Sequence, residues 1–171
     1  MIAYYNEVDP FAAQWLRNLI AAGHIAPGFV DERPIQDVRA DDLREYGQCH
    51  FFAGIGVWSH ALRLAGWSDS RPVATLSCPC QPFSAAGKRK GEADERHLWP
   101  VAFRLLREIM PAVLFGEQVS SKDGLRWYRS VKADMNSIGY TMAAMDIPAA
   151  AVGAPHIRQR LYFVGERDAG A

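Results

Sequence analysis

The sequence lacks the features of membrane, secreted and metal-binding proteins. No apolar run approaches the roughly 20 residues of a transmembrane helix, and the opening MIAYYNEVDP has no basic-then-apolar secretory pattern. Cysteine is scarce: an odd count of three, two of them in one CPC run, does not indicate a disulfide framework. Five scattered histidines give no metal-ligand spacing. We expect a soluble intracellular protein without a metal site, whose cysteines are buried apolar residues or a nucleophile.

The sequence also lacks net charge, because 19 basic residues balance 19 acidic ones. Nucleic-acid-binding proteins usually carry a basic surface, so this balance does not by itself indicate one. The charges are uneven, however: acidic residues are frequent in residues 1–50, whereas basic residues gather at 88–90 and at 158–160. A local basic surface is therefore compatible with the composition.

Short apolar runs alternate with helical stretches along the chain, and turn residues flank the runs as they flank buried parallel strands. The predicted strands are Ile2–Tyr5, Cys49–Ala53, Val73–Ser77, Ala112–Gly116, Thr141–Met145 and Leu161–Gly165. The predicted helices run from Pro10 towards Gly23, from Gly56 to Gly66 with Ala61, Leu62 and Ala65 facing inward, from Trp99 to Ile109, and from about Asp123 to Gly139. This alternation predicts an α/β fold with a doubly wound, mostly parallel sheet, in one domain of residues 1–171.

The run FFAGIG, residues 51–56, lies where a predicted strand gives way to a helix. Two glycines at such a point let the backbone approach a ligand closely and aim helix N–H groups at it. The same pattern also fits a tight turn in any α/β protein, so it is a weak indication when taken alone.

The run SCPCQPFS, residues 77–84, follows another predicted strand and contains two prolines. A cysteine just beyond the carboxyl end of a central strand faces the crevice where open α/β sheets bind ligands. A buried apolar role explains Cys78 well. The Pro-Cys-Gln-Pro setting of Cys80 fits a fixed nucleophile better.

Two charged runs follow. Glu117 comes at the end of a predicted strand, where a carboxylate is costly to desolvate unless it has a partner or a chemical role. Arg158 and Arg160 alternate, so on an extended chain they point the same way and can bind an anion or brace a carboxylate. A helix-capping or ion-paired glutamate and a solvated sheet edge are the simpler alternatives.

The order FAGIG, PCQPFS, GEQV, HIRQR resembles the motif series of the DNA (cytosine-5) methyltransferases over roughly residues 48–167, with phage and prophage members nearest in character. The resemblance implies a fold of the S-adenosylmethionine-dependent methyltransferase type. It also implies that the cofactor S-adenosylmethionine, whose product is S-adenosylhomocysteine, binds at Phe52, Ala53, Gly54, Ile55, Gly56 and Pro79. The implied location is the cytoplasm of a bacterium or of a phage-infected host cell. The resemblance leaves open whether the chain belongs to a restriction-modification system or is an orphan phage enzyme.

The resemblance implies a covalent mechanism on double-stranded DNA with a flipped-out cytosine. Cys80 attacks C6 of the base, Glu117 holds or protonates N3, and Arg158 and Arg160 orient the base and Glu117. The remaining implied contacts are those of Ser84, Lys88 and Arg96 with DNA phosphates, which position the strand.

The start of the chain departs from the family order. The run YNEVDPFA, which contains Glu7 and Val8, resembles the family's cofactor-ribose motif but precedes FAGIG by about 45 residues. We interpret this as a local permutation that makes Glu7 a ribose ligand and Val8 its neighbour in the cofactor site, with the first strand beside the FAGIG strand. A cluster of residues capping a helix is an equally good explanation.

Three further departures bear on function. Val57 replaces a usual glycine and is expected to crowd the methionine end of the cofactor, and Gln118 replaces an asparagine and is expected to disturb the loop behind Glu117. The chain also ends soon after the paired arginines, so target recognition is expected from a partner chain or an oligomer. The alternative function is a non-catalytic or partner-dependent module that binds cofactor or DNA. A Rossmann-like oxidoreductase explains PCQPFS and the arginines poorly.

Overall fold

The computed structural model describes residues 2–79 and 98–168, which form one sheet with helices on both faces. The strands are Ile2–Asn6 (β1), Gly28–Asp31 (β2), Tyr46–Phe51 (β3), Val73–Leu76 (β4), Val113–Val119 (β5), Tyr140–Pro148 (β6) and Gln159–Arg167 (β7). The helices are Pro10–Ala21 (α1), Val57–Leu64 (α2), Trp99–Ile109 (α3) and Lys122–Ser137 (α4). None of the helices in these ranges combines the length and the apolar character that crossing a membrane requires.

The seven strands lie in the order β2-β1-β3-β4-β5-β7-β6. Neighbours from β2 to β5 are parallel, and β7 is antiparallel to both β5 and β6. This order confirms the doubly wound, mostly parallel sheet. It also confirms that the first strand lies beside the FAGIG strand β3, although the helix α1 and the strand β2 separate the two in sequence.

Two of the differences from the predicted strands are the largest in their consequences. The strand β2 was not predicted, because its four residues GFVD form too short an apolar run to stand out. The strand β5 extends to Val119 rather than ending at Gly116, because β7 pairs with it over its whole length. Glu117 therefore lies within a strand, opposite Tyr162, and not in a loop after it.

Helices α1 and α2 cover one face of the sheet, and α3 and α4 cover the other. On the first face, Tyr5 packs with Leu16 of α1, and its hydroxyl lies 2.9 Å from Ser59 Oγ of α2. On the second face, Tyr4 belongs to the larger core that contains Leu105 of α3. The alternation of Tyr4 and Tyr5 places neighbouring side chains of β1 in different layers.

The predicted inward face of α2 is correct only for Leu62, which is buried. Ala61 and Ala65 are exposed.

The residues that follow β2 are held by a buried carboxylate. Asp31 accepts hydrogen bonds from the Tyr4 hydroxyl at 2.7 Å and from the Arg33 guanidinium, whose Nη2 lies 2.7 Å away. Burial alone raises the pKa of Asp31, but the hydrogen bonds from Arg33 and Tyr4 outweigh burial and hold its pKa below the usual value. Arg33 Nη2 also lies 3.0 Å from Asp42 Oδ2. This network fixes the turn at residues 33–36.

Replacing Arg33 with glutamine is expected to lower the free energy of unfolding by about 1–3 kcal/mol, since the Asp31 carboxylate then stays buried without its charged partner. The matched control is Arg17→Gln, whose pair with Glu32 is exposed on both sides (41% and 40%) and should contribute less than about 1 kcal/mol. Urea unfolding of both variants measures the two effects.

Wild type and Arg33→Gln also give a pH test. Because the pKa of Asp31 is lowered in the folded state, its stabilisation is present above the ordinary value of 3.8 and is lost as the pH falls through the lowered one. The gap between wild type and Arg33→Gln should therefore shrink in that acidic range. Equal effects of Arg33→Gln and Arg17→Gln at neutral pH would contradict the network.

Candidate active site

The carboxyl ends of the parallel strands open into a groove made of two cavities. The first cavity, of about 320 Å³, is lined by Asn6, Glu7, Val8, Pro34, Ile35, Gln36, Phe52, Pro79 and Leu98. The second cavity, of about 530 Å³, is lined by Phe52, Ala53, Gly54, Ile55, Val57, Trp58, Ala61, Ser77, Glu117, Ile147, Ala149, Val152, Arg158, Arg160 and Tyr162. Phe52 lies on the wall of both, so the two cavities are neighbours. This is the edge of the sheet at which open α/β folds bind ligands.

A larger cavity, of about 700 Å³, lies at the opposite end of the strands and includes Tyr46, Cys49 and Met110 in its lining. None of the motif residues lines it. The two cavities at the carboxyl ends are therefore the better candidate, despite their smaller volumes.

The turn after β3 is left-handed at three positions. Phe52, Gly54 and Gly56 have φ angles of 52°, 55° and 79°. A positive φ at a phenylalanine is sterically unfavourable, and such conformations concentrate at functional sites. Gly54 lines the second cavity, whereas Gly56 lies behind the turn, where a β-carbon would come within 3.0 Å of Leu16. The geometry thus gives Gly54 a place on the groove and Gly56 a role in packing.

Glu7 joins the first strand to this turn. Its Oε2 accepts a hydrogen bond from the Gly54 N–H at 2.7 Å, and its Oε1 accepts one from the Asp9 N–H at 2.9 Å. The side chain that caps α1 is Asp9, which accepts a hydrogen bond from the Ala12 N–H. The helix-cap explanation therefore applies to Asp9, and Glu7 lies at the glycine turn with its carboxylate on the wall of the first cavity.

The outer wall of the first cavity is the turn that follows β2. Asn6 Nδ2 donates a hydrogen bond to the Arg33 carbonyl at 2.8 Å, which ties the turn to the end of β1. Pro34, Ile35 and Gln36 follow directly and line the cavity. The side chains of Pro34, Ile35, Val8 and Phe52 make most of this lining apolar, as is usual for ligand sites.

The second cavity contains a carboxylate paired with a guanidinium. Arg160 Nε lies 2.5 Å from Glu117 Oε1, and both side chains are largely buried, with 19% and 25% exposed. Arg158 lines the same cavity, and its carbonyl accepts a hydrogen bond from the Ala149 N–H. The structure therefore brings Glu117, Arg158 and Arg160 together, with Arg160 in direct contact with the carboxylate.

The chain between the two cavities is held from both faces of the sheet. Trp58 of α2 donates a hydrogen bond from Nε1 to Ser77 Oγ at 3.0 Å. From the other face, Gln118 Nε2 donates to the Cys78 carbonyl at 3.4 Å, while its Oε1 accepts from the Val119 N–H. Gln118 is buried, and its side chain does not line either cavity.

The predicted site residues near Cys78 and in the run that follows it fall into two groups. Cys78 is buried in the larger core, as predicted for an apolar cysteine, and Pro79 lines the first cavity. Cys80, Ser84, Lys88 and Arg96 lie outside the described residues. Val57 lies on the wall of the second cavity, where it narrows the space that a glycine would leave. Within residues 2–79 and 98–168, no cluster of His, Cys, Asp and Glu has the composition of a metal site.

Several residues of the groove were missed by sequence reasoning, and three of them make contacts that shape it. Asn6 orders the turn after β2, Trp58 anchors Ser77, and Tyr162 stands opposite Glu117 in the β5–β7 pair. Tyr162 alternates with the predicted Arg160, so the period of two could have found it. Asn6 and Trp58 each adjoin a predicted motif residue, but their partners are distant in sequence.

Comparison with known proteins is consistent with this geometry. The model of the family described as C-5 cytosine-specific DNA methylase matches residues 72–170, which is more than half of the chain. The type II methyltransferase M.HhaI of Haemophilus parahaemolyticus is 38% identical over 90 residues, which cover 50% of this chain and 28% of the relative. M.NgoBI of Neisseria gonorrhoeae is 34% identical over 168 residues, which cover 96% of this chain and 45% of the relative. The chain thus spans less than half the length of these curated relatives.

Solved structures agree on the fold. A mutant of DNMT2 from Spodoptera frugiperda superposes with a TM-score of 0.64 at 14% identity, over 98% of this chain and 43% of that one. A putative DNA modification methyltransferase encoded within an Escherichia coli prophage gives 0.61 at 15% identity, over 98% and 40%. The fold is therefore that of a Rossmann-like, S-adenosylmethionine-dependent methyltransferase, and the chain belongs to the C-5 cytosine-specific DNA methylase family.

Proposed function

We propose that residues 1–171 form a single catalytic core domain that transfers a methyl group from S-adenosylmethionine to C5 of a cytosine in double-stranded DNA. The observation that carries this proposal is the Glu117–Arg160 pair, which lies in the same groove as the Glu7 carboxylate and the Gly54 turn. One end of the groove is suited to a nucleoside, and the other to a protonatable heterocycle.

The first cavity fits the adenosine part of the cofactor. Its apolar lining suits the adenine ring, and the Glu7 carboxylate can accept hydrogen bonds from ribose hydroxyls. Phe52 and the Gly54 turn lead from there to the second cavity, in the direction that the methionine part must take. When bound, the cofactor supplies an electrophilic methyl group on its sulfonium sulfur.

The second cavity suits the target base. The Glu117 carboxyl, oriented by Arg160, is placed to hold N3 of a flipped cytosine and donate a proton to it. The Cys80 thiolate forms a bond to C6, and the electron pair displaced from the C5–C6 double bond makes C5 nucleophilic. After C5 has taken the methyl group, loss of the C5 proton to a base and cleavage of the C6–sulfur bond restore the aromatic ring and the thiolate.

The residues just before Cys80 support its proposed role. Ser77 and Cys78 are held by Trp58 and Gln118, and Pro79 lies on the wall of the first cavity. Cys80 is bonded directly to Pro79, so the nucleophile follows a segment that is anchored between the two cavities. Ser84, Lys88 and Arg96 come later in the same run and are proposed to bind DNA phosphates. Recognition of the DNA sequence is proposed to come from a partner chain or an oligomer.

Glu7→Ala should weaken binding of S-adenosylhomocysteine about 10- to 100-fold, because a hydrogen bond to a charged acceptor contributes about 1.5–3 kcal/mol. Isothermal calorimetry measures the change. The control is Asp9→Ala, which removes a nearby carboxylate that caps α1 and should leave the affinity unchanged. If Glu7→Ala binds the product as tightly as wild type does, the carboxylate only shapes the Gly54 turn.

Cys80→Ser should abolish transfer of labelled methyl groups from S-adenosylmethionine to unmethylated DNA while sparing product binding, since serine is a far weaker nucleophile at neutral pH. Cys78→Ser is the matched control, because Cys78 is buried in the core and should affect stability more than activity. Mapping of the modified base identifies the position that is methylated.

DNA that carries 5-fluorocytosine gives an independent test of the covalent bond between Cys80 and the base. Fluorine cannot leave C5 as a proton does, so the Cys80 adduct should persist and be detected by mass spectrometry. An unmodified Cys80, in a preparation that binds both the DNA and the cofactor, would instead support the non-catalytic module.

A further inference from the structure

Trp58 joins the helix α2 to three segments that contribute to the wall of the second cavity. Its indole Nε1 donates a hydrogen bond to Ser77 Oγ, 3.0 Å away, just beyond β4. Its ring stacks on Phe115 of β5, with 5.9 Å between the ring centroids and 24° between the planes. It also meets Tyr162 of β7 edge-on, at 6.1 Å and 81°. One side chain therefore contacts the ends of three different strands.

Ser77 lies where the sheet no longer positions the chain. The pairing of β4 with β3 and with β5 ends at Leu76, so Ser77 is the first residue beyond both ladders. Leu76 and Cys78 belong to the larger core, so Ser77 between them points to the face that carries α2. The hydrogen bond from Trp58 therefore holds the chain at the point where strand pairing stops.

The hydrogen bond to Ser77 is not required for the packing of Trp58. The side chain is only partly buried, so water can satisfy the indole N–H in place of the serine. Stacking on Phe115 requires a ring and not an N–H group. The donor atom therefore adds little to stability, and what it provides is a fixed distance between α2 and Ser77.

The other two contacts of Trp58 lead to Glu117. Phe115 precedes Glu117 by two residues on β5, so both side chains lie on the same face of the sheet. Tyr162 is directly opposite Glu117 in the β5–β7 pair. Arg160 holds the carboxylate itself, with 2.5 Å between its Nε and Glu117 Oε1. Trp58 thus contacts two neighbours of the acid as well as the start of the cysteine run.

The proposed reaction needs groups from both of these segments at one base. Cys80, three residues after Ser77, has to reach C6 of the ring, and Glu117 has to reach N3. Reacting atoms meet at about 3–3.5 Å, and a displacement of about 1 Å can cost a factor of about 100 in rate. The distance between the two segments is therefore a quantity on which the rate depends.

We infer that Trp58 is a positioning residue for methyl transfer, whose hydrogen bond to Ser77 sets the place of residues 77–79 relative to the Glu117–Arg160 pair. The indole acts through Ser77 and takes no part in a chemical step. The effect on the rate rests on the proposed function, whereas the holding of residues 77–79 rests on the contacts alone.

Removing either partner of the hydrogen bond tests this role. Trp58→Phe keeps an aromatic ring beside Phe115 but loses the donor, and Ser77→Ala loses the acceptor. Each variant should lower kcat for methyl transfer, and the single-turnover rate of 5-fluorocytosine adduct formation, by about 10- to 100-fold. KM for S-adenosylmethionine and affinity for S-adenosylhomocysteine should stay unchanged, because the substitutions leave the lining of the first cavity intact.

The double variant separates positioning from direct contact with the base. If Trp58 acts through Ser77, both substitutions remove the same interaction, and the double variant should be no slower than the slower single variant. Effects that multiply would show instead that Trp58 contacts the substrate itself, and would overturn the inference. A Trp58→Phe protein with the kcat of wild type would overturn it as well.

The matched control is Trp67→Phe. Trp67 also contacts Phe115, with 5.7 Å between the ring centroids, but its Nε1 donates to the Arg71 carbonyl at 3.1 Å and not to Ser77. This variant loses an indole donor beside the same phenylalanine, and its kcat should equal that of wild type. An equal loss of rate in Trp67→Phe and Trp58→Phe would show that packing around Phe115, and not the bond to Ser77, is responsible.

Hydrogen exchange tests the holding of the segment without an active enzyme. The amides of residues 77 and 78 should exchange faster in Trp58→Phe and in Ser77→Ala than in wild type or Trp67→Phe, as measured by mass spectrometry on a peptide that contains them. Unchanged exchange in the first two variants would overturn the inference. A wild-type chain that forms no 5-fluorocytosine adduct, with variants that exchange faster, would refute the proposed function and leave the holding of residues 77–79 by Trp58 in place.

Discussion

Asn6, Phe51, Leu76 and Gly116 lie in one row across four neighbouring strands, because the parallel register pairs each with the next. The residue that follows each of them begins the groove. From β1 the chain continues into Glu7, from β3 into the Gly54 turn, from β4 into Ser77, and within β5 into Glu117. A slip of one residue in any of these pairs would turn a groove residue to the opposite face of the sheet. The register is therefore the constraint from which the two cavities follow.

The two carboxylates of the groove are held in different ways. At one end the Glu7 carboxylate is held by backbone N–H groups, and at the other the Glu117 carboxylate is held by a guanidinium. Backbone donors leave Glu7 with capacity to accept further hydrogen bonds, which suits a ligand with hydroxyl groups. A guanidinium partner instead orients Glu117 and leaves its second oxygen for a base. The two acids thus differ in their partners, and this difference supports their different proposed roles.

Sequence reasoning recovered the features that depend on local pattern. Apolar runs and terminal glycines located six of the strands and all four helices of the described residues, and the order of motifs identified Glu117 with Arg160. Features that depend on distant partners were missed. The short strand β2 is defined by pairing with β1, and the extension of β5 is defined by pairing with β7. Ala61 and Ala65 follow a buried pattern, yet both are exposed, because burial depends on neighbours that are distant in sequence.

The strands β2, β1 and β3 are contiguous in the chain as well as adjacent in the sheet. All residues that line the first cavity, apart from Pro79 and Leu98, therefore fall within the first 52 positions. During synthesis the ribosome releases this part before Glu117 and Arg160 exist, and chains generally fold from the amino end. The order of the strands thus separates the molecule in time: the segment that provides most of the first cavity precedes the segment that carries Glu117 and Arg160. A ligand that binds this segment early would stabilise it while the rest of the sheet is still being made.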